Sequence, residues 1–370
     1  MDKNEKIKVT HVTRYAYPHV GGIEAVISQI CNALPDNKFE KEILCCSNIE
    51  KSCKENGILY NRCKFLFEFA SNTISPEFIY KLSKVDTDIL HYHMPFIFAV
   101  IAHFIARPKY KKLYITYHSD IVGYDKIMTL FWGLYKKFLN KVDKIHVLSP
   151  NIIESSNILN SYKNKCVVIP QGIPLETTLN NKKTEEIKQR YENKKIIFSL
   201  GRLVTYKGFI YALEAMQHIE NAVYLLGGSG PLQEDFNDYI EKYNLQDKVF
   251  LLGKIPDSEL NAYYNCCDIY LFPSIMQSEA FGIVQLEAMR FGKPVINTNL
   301  GTGVNYVSVN NETGLTVNPG NAKELADAIN KLLNNDELRL KLGKNAQLRV
   351  EQKFNIDYIT KEYINLYSAS

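Results

Sequence analysis

Short apolar runs alternate with helix-sized segments along this whole chain, and that alternation constrains its fold more than anything else in the sequence. The first half offers runs at 7–12, 43–46, 89–91, 113–116, 145–148 and 167–169. The second half offers 196–200, 223–226, 249–251, 269–272, 295–296 and 315–317. Continuous runs rich in Val, Ile and Leu, spaced by amphipathic segments, indicate parallel strands buried on both faces. The pattern restarts at residue 196 after a charged, Asn- and Lys-rich stretch at 176–195, which reads as a connection. A chain of 370 residues also exceeds what one core usually serves.

The fold class expected is therefore α/β, with two facing, doubly wound parallel-sheet (Rossmann-like) domains. The boundaries expected are 1–180 and 181–350, followed by a helix at 351–370. In the tail, Ile356, Ile359, Tyr363 and Leu366 fall on one helical stripe, which needs a surface to cover, and the first domain can supply it. In open parallel sheets ligands bind beyond the C-terminal ends of the strands, so functional residues should follow the apolar runs.

Composition sets limits on function. Apolar residues make up 46% and charged residues 23%, as in folded soluble proteins. A net charge of +4 is too mild to indicate nucleic acid as partner. The charged start of the chain is unlike a signal peptide, and no apolar stretch approaches the ~20 residues of a membrane-spanning helix. None of the eight cysteines forms a C-x-x-C, so they read as reduced core residues of a cytoplasmic protein rather than zinc ligands. A basic stretch runs through Arg107, Lys109, Lys111, Lys112, Lys136, Lys137, Lys141 and Lys144. It suits either a solvated face or peripheral docking on an anionic membrane surface.

Several motifs follow the apolar runs as required. Gly21-Gly22 precede an amphipathic helix, where close backbone approach and free N–H groups suit an anion. His118 follows the run at 113–116, placed to hydrogen-bond a ligand or to act as a base. "GRLVTYKG" puts Arg202 and Lys207 at the end of the run at 196–200, two cations flanked by glycines that suit a diphosphate. "GGSGP" follows the run at 223–226 but lacks the full dinucleotide fingerprint. "SEAFGIVQLEAM" follows the run at 269–272, with Glu279 in a strand-end loop and Glu287 in the second turn of a helix from about 282 to 291. A carboxylate in so apolar a helix needs hydrogen-bond donors, and sugar hydroxyls are natural ones. Asp86 and Asp88 precede the run at 89–91 and so lie at the wrong end for a metal site, while His91 and His93 offer two ligands on one strand face without a third.

Taken together and in order, Gly21-Gly22, "YHSD", "GRLVTYKG", "GSGP", "FPSIMQSEAFGIVQLEAM" and "GKPVINTNLGT" resemble the retaining glycosyltransferases of the GT-B fold, in the large family with two glutamates separated by seven residues (glycosyltransferase family 4, glycosyl transferases group 1). The resemblance covers essentially the whole chain. It implies that Arg202 and Lys207 bind the donor diphosphate and that Glu287 holds the ribose. It also implies that Glu279 contacts the donor sugar at the reacting centre, beside His118. The amides of Phe281, Gly282 and Ile283 would hold sugar and phosphate, Gly21 and Gly22 would lie near phosphate or acceptor, and Gly253 and Ile255 would face the base. The "PQGIP" segment departs from the family pattern in the hinge loop that contacts the acceptor side in the family. "VTYHSDIV" and "KCVVIPQGI" look most like O-antigen and capsule mannosyl- or rhamnosyltransferases.

The resemblance implies a hexose, mannose-type, moved from a GDP-sugar to a lipid-linked surface glycan without metal or cofactor, at the cytoplasmic face of the inner membrane. A UDP-hexose donor, a nucleotide-sugar 2-epimerase and a non-catalytic nucleotide-sugar-binding subunit stand as alternatives.

Overall fold

The computed structural model describes residues 6–19, 21–69, 72–120 and 125–369, with the side chains of 125–130 outside the description. The chain divides into two compact units. One comprises Met1–Gln171 together with Asp357–Ser370, and the other comprises Gly172–Ile356. The division thus falls before the expected 180, and the return to the first unit falls after 351.

The first unit contains β1 (Ile7–Val12), β2 (Phe39–Cys46), β3 (Cys53–Glu55), β4 (Ile58–Cys63), β5 (Phe67–Phe69), β6 (Asn72–Ile74), β7 (Asp86–Met94), β8 (Lys109–Tyr117), β9 (Lys144–Val147) and β10 (Cys166–Val168). Eight of them form one sheet, ordered β10-β9-β8-β7-β1-β2-β4-β3, and β5 pairs with β6 apart from it. Pairing is parallel except at the β3–β4 edge. The apolar runs form these strands because each can bury both faces. Leu90, Tyr92 and Met94 enter a core with Leu113, Ile115 and Phe138, while Ile43 and Cys45 enter a second cluster with Ile27 and Cys31.

The second unit contains β11 (Lys195–Leu200), β12 (Ala222–Gly227), β13 (Val249–Gly253), β14 (Ile269–Phe272), β15 (Val295–Thr298) and β16 (Gly314–Val317). All are parallel, in the order β13-β12-β11-β14-β15-β16. The connecting stretch is expected to be partly helical in its later part, and it is. It holds a helix, Asn181–Arg190, started by the Asn180 side chain, which accepts the Lys183 N–H.

The tail forms two helices, Asp336–Lys353 and Ile356–Ser368. The second buries Ile359, Tyr363 and Tyr367 at i, i+4 and i+8. Its seam therefore runs through Tyr367, with Leu366 only partly buried at its edge. Five cysteines are buried, but Cys53 is exposed on the β3 edge, and all eight are free thiols. No helix among the described residues is long and apolar enough to cross a membrane.

Candidate active site

In the second unit every strand is parallel, so the loops after β11, β12, β13, β14 and β15 emerge on one edge. The strand order reverses between β11 and β14, the position where open α/β sheets leave a crevice for a ligand. The loops there are stitched together. Ile275 donates its N–H to the Tyr206 carbonyl at 2.8 Å, Leu203 to Ser229 at 3.0 Å, and Gly228 to Gly253 at 2.7 Å.

Gly208 sits at φ 66°, and a β-carbon there would run into the Pro273 carbonyl. That close approach holds the Lys207 turn against the end of β14. Lys207 forms an ion pair with Glu279, both side chains 13% exposed, and its ammonium lies 5.3 Å from the Phe272 ring centre. The Ser274 hydroxyl also donates to Glu279, at 3.1 Å. Arg202 is exposed on the same loop, and its guanidinium has no partner among the described residues.

The helix after β14 spans Val284–Arg290, shorter than the expected 282–291. Gly282 is the reason. Its φ of 73° breaks the helix, so the Gln285 and Leu286 amides close tight turns onto the Gly282 and Ile283 carbonyls at 3.0 and 2.9 Å. Two consequences follow. Glu287 lies in the first helical turn rather than the second. The amides of Phe281, Gly282 and Ile283 donate to no described residue and stay available to a ligand.

Glu287 has no hydrogen-bond or ion-pair partner among the described residues. Burial pushes its pKa above the usual carboxylate range, nearby Arg290 opposes this, and Asp257 adds to it. Arg290 is engaged elsewhere, donating to the Pro174 carbonyl at 2.9 Å and to Asn261 at 3.1 Å. Gly253 ends β13, and Ile255 is buried against Gly227.

In the first unit Gly21 caps the helix Gly22–Ala33 without a side chain. The carboxyl of Glu24 folds back to the space beside Gly21, and burial raises its pKa. An anion at this helix end must therefore displace or neutralise Glu24. His118 follows β8 directly and is 5% exposed. Burial lowers its pKa to about 3, with His146 adding to the effect, so it is neutral at physiological pH.

Asp88 accepts the Lys8 N–H at 2.8 Å and pairs with Lys111, so it is engaged at the start of β7. The third histidine that the sequence reading lacked is His11. Ring nitrogens of His11, His91 and His93 lie within 4.8 Å of one another. In register, His11 pairs with His91 across β1–β7, His93 with Thr116 across β7–β8, and Thr116 with His146 across β8–β9.

The hydrogen bonds show what this row does. His146 Nε2 lies 2.8 Å from the Ile169 carbonyl, which only accepts, so Nε2 carries the proton and Nδ1 accepts from the Thr116 hydroxyl at 2.9 Å. Thr116 then accepts from His91 Nε2 at 2.8 Å, and the Tyr367 hydroxyl donates to His91 Nδ1. Both nitrogens of His91 are consumed, so the trio offers an ion no lone pair from His91 while Tyr367 is in place. Sequence reasoning missed His11 and His146. Their signal was a lone histidine in each of two apolar strands, in register with "HYH".

A parallel sheet with a charged loop cluster at its switch point defines a ligand site of the doubly wound type, and comparison with known proteins makes the class specific. Glycosyltransferase Family 4 matches residues 20–177, and Glycosyl transferases group 1 matches residues 180–349. O-antigen chain mannosyltransferase C of Escherichia coli is 32% identical over 370 residues, covering 98% of both chains. D-rhamnosyltransferase WbpZ of Pseudomonas aeruginosa is 30% identical over 358 residues, covering 94% of this chain and 92% of its own. The structure of Anabaena HepE in complex with UDP matches with a TM-score of 0.79 at 19% identity, over 98% of this chain and 100% of that one. Sucrose-phosphate synthase of Thermosynechococcus elongatus matches with a TM-score of 0.78 at 22% identity, over 99% and 100%. The protein belongs to the glycosyltransferase family 4 (glycosyl transferases group 1) enzymes and has the GT-B fold. As a glycosyltransferase it acts on a sugar donor and a glycan acceptor.

Proposed function

We propose that the chain is a retaining mannosyl-type transferase of O-antigen or capsule assembly, using a GDP-hexose and a lipid-linked glycan acceptor. The observation that carries this is the loop cluster at the β11/β14 switch point, where Lys207 is bonded to Glu279. The loops after β11 and β14 also carry three amides that bond no described residue, and neither the Arg202 guanidinium nor the Glu287 carboxylate has a partner among the described residues. Such a set complements a nucleotide diphosphate sugar. Cations and amides meet the diphosphate, Glu287 accepts from ribose hydroxyls, and Glu279 accepts from the sugar. The mannosyl- and rhamnosyltransferase relatives support the sugar type.

As the glycosidic bond to phosphate breaks, negative charge grows on the leaving oxygen. Arg202, Lys207 and the amides of Phe281, Gly282 and Ile283 are fixed donors that stabilise it, with no metal required. The acceptor hydroxyl attacks from the same face and passes its proton to the leaving phosphate, which retains configuration. His118, at the end of β8, is a candidate hydrogen-bond partner for a substrate oxygen, and Gly253 and Ile255 border the base. Near Gly21 and Gly22, a cavity of about 630 Å³ lined by Arg14, Tyr15, His19, Arg62 and Glu68 is the acceptor candidate. The protein works in the cytoplasm, docked on the inner membrane through its basic face.

The test is a thermal-shift panel of GDP- and UDP-sugars, followed by transfer to a lipid-linked glycan with and without EDTA. A ligand at 100 times its dissociation constant stabilises by ~2.7 kcal/mol. GDP-mannose should stabilise most and give an α-linked product unaffected by EDTA. Stabilisation by UDP-sugars alone would replace the donor assignment, C2 epimerisation without acceptor would replace the reaction, and binding without turnover would leave a non-catalytic role.

A further inference from the structure

A second chain of imidazoles runs beside the His91–His146 row and ends at His118. His11 Nδ1 lies 3.0 Å from His93 Nε2, and His93 Nδ1 lies 3.2 Å from His118 Nε2. All three rings are buried, with His11 at 0%, His93 at 1% and His118 at 5% exposure. The ring centres are 5.3 and 5.5 Å apart. At the far end His11 Nε2 is buried and bonds no described residue. At the near end His118 Nδ1 bonds no described residue.

Each neutral imidazole carries one proton, so in such a chain the protons must all point the same way. If they point toward His11, its Nε2 bears a buried N–H with no acceptor among the described residues. If they point toward His118, His11 Nε2 is a bare lone pair. Orphaned buried N–H groups are rarer in folded proteins than under-satisfied acceptors, which favours the second order. The proton order therefore runs His11 Nδ1–H to His93 Nε2, then His93 Nδ1–H to His118 Nε2. That leaves His118 with its proton on Nδ1, the atom free for a ligand. A ligand rich in phosphate and hydroxyl oxygens is matched by such a donor.

We propose that His11 and His93 are positioning residues that lock His118 in its Nδ1–H tautomer, so that His118 gives a hydrogen bond to a substrate oxygen and does not serve as a base. Only the identity of that substrate rests on the function proposed above; the tautomer does not. Burial keeps all three rings neutral, which the order requires.

The test is ¹⁵N-histidine NMR of the full chain, with long-range ring correlations and His118→Gln to assign the signal. His118 should show protonated Nδ1 and unprotonated Nε2. In His93→Phe, which keeps a ring but cuts the chain, His118 should become a tautomer mixture. Turnover should fall tenfold or more while GDP affinity stays within twofold. His11→Phe, also checked for folding by circular dichroism, should shift the tautomer in the same direction, and it decides the matter where His93→Phe fails to fold. An Nε2–H tautomer of His118 in the unmodified protein, or an unaltered tautomer in both variants, overturns the proposal. If no donor is turned over by the unmodified protein, the proposed function fails while the NMR result still decides the tautomer.

Discussion

At the scale of residues, the two glutamates that look alike in the sequence do different work. Glu279 is already engaged by Lys207 and Ser274, whereas Glu287 has no partner among the described residues. Glu279 therefore holds Lys207 in place before any ligand arrives, and a diphosphate must compete with it for the ammonium. Lys207→Ala should weaken nucleoside diphosphate binding about 10- to 100-fold, the range of a charge-assisted hydrogen bond, measured by calorimetry. Glu279→Gln removes the competing charge but also the proposed sugar contact. It should bind nucleoside diphosphate at least as tightly as the unmodified protein while losing transfer by about 100-fold or more. Near-normal transfer by Glu279→Gln would remove it from the reacting centre.

At the scale of elements, the turns that carry these side chains are set by backbone more than by side chain. Gly208→Ala forces a left-handed residue at about 1–2 kcal/mol and drives a methyl into the Pro273 carbonyl. Urea unfolding should show a loss of 2 kcal/mol or more, with nucleotide binding lost alongside it. On the helix Ile356–Ser368, Tyr367→Phe removes the donor to His91 Nδ1. A buried acceptor left unmatched costs about 1–3 kcal/mol, and the same unfolding measurement reads it.

Most of the buried parallel strands were legible because their apolar runs carry both faces of a sheet. β4 was not, since Asn61 and Arg62 interrupt its apolar residues, and neither were β3, β5 and β6, each of three residues with β3 and β5 wholly exposed. The helix around Glu287 was legible in kind but not in its start, because the left-handed turn at Gly282 reads from sequence as an ordinary helical glycine. The histidine row was legible only as "HYH". Strand register joins residues from four separate stretches, and register is not written locally.

At the scale of the whole molecule, the first unit conceals an unusual density of neutral imidazoles. Burial lowers His11 and His118 to about 3 and His146 to about 4, and holds His91 and His93 well below the ordinary range. Unfolded, each would titrate near its ordinary 6.5. Between 6.5 and about 4 the unfolded chain binds protons that the folded chain refuses, so stability falls with falling pH. The loss is about 1.4 kcal/mol per pH unit for each histidine kept neutral. Melting temperature should be level above pH 7 and drop steeply below 6.5. A level profile down to pH 5 would show that these rings take up protons without unfolding. The nested order of the chain, with Gly172–Ile356 inserted between the two parts of the first unit, also has a bearing on synthesis. As the polypeptide leaves the ribosome, the sheet of the first unit emerges early but lacks Tyr363 and Tyr367, which close over His146 and His91. The second unit, continuous in sequence, can finish folding first. The earlier-made half must wait for its last helix, and in that interval it is the natural client of a chaperone.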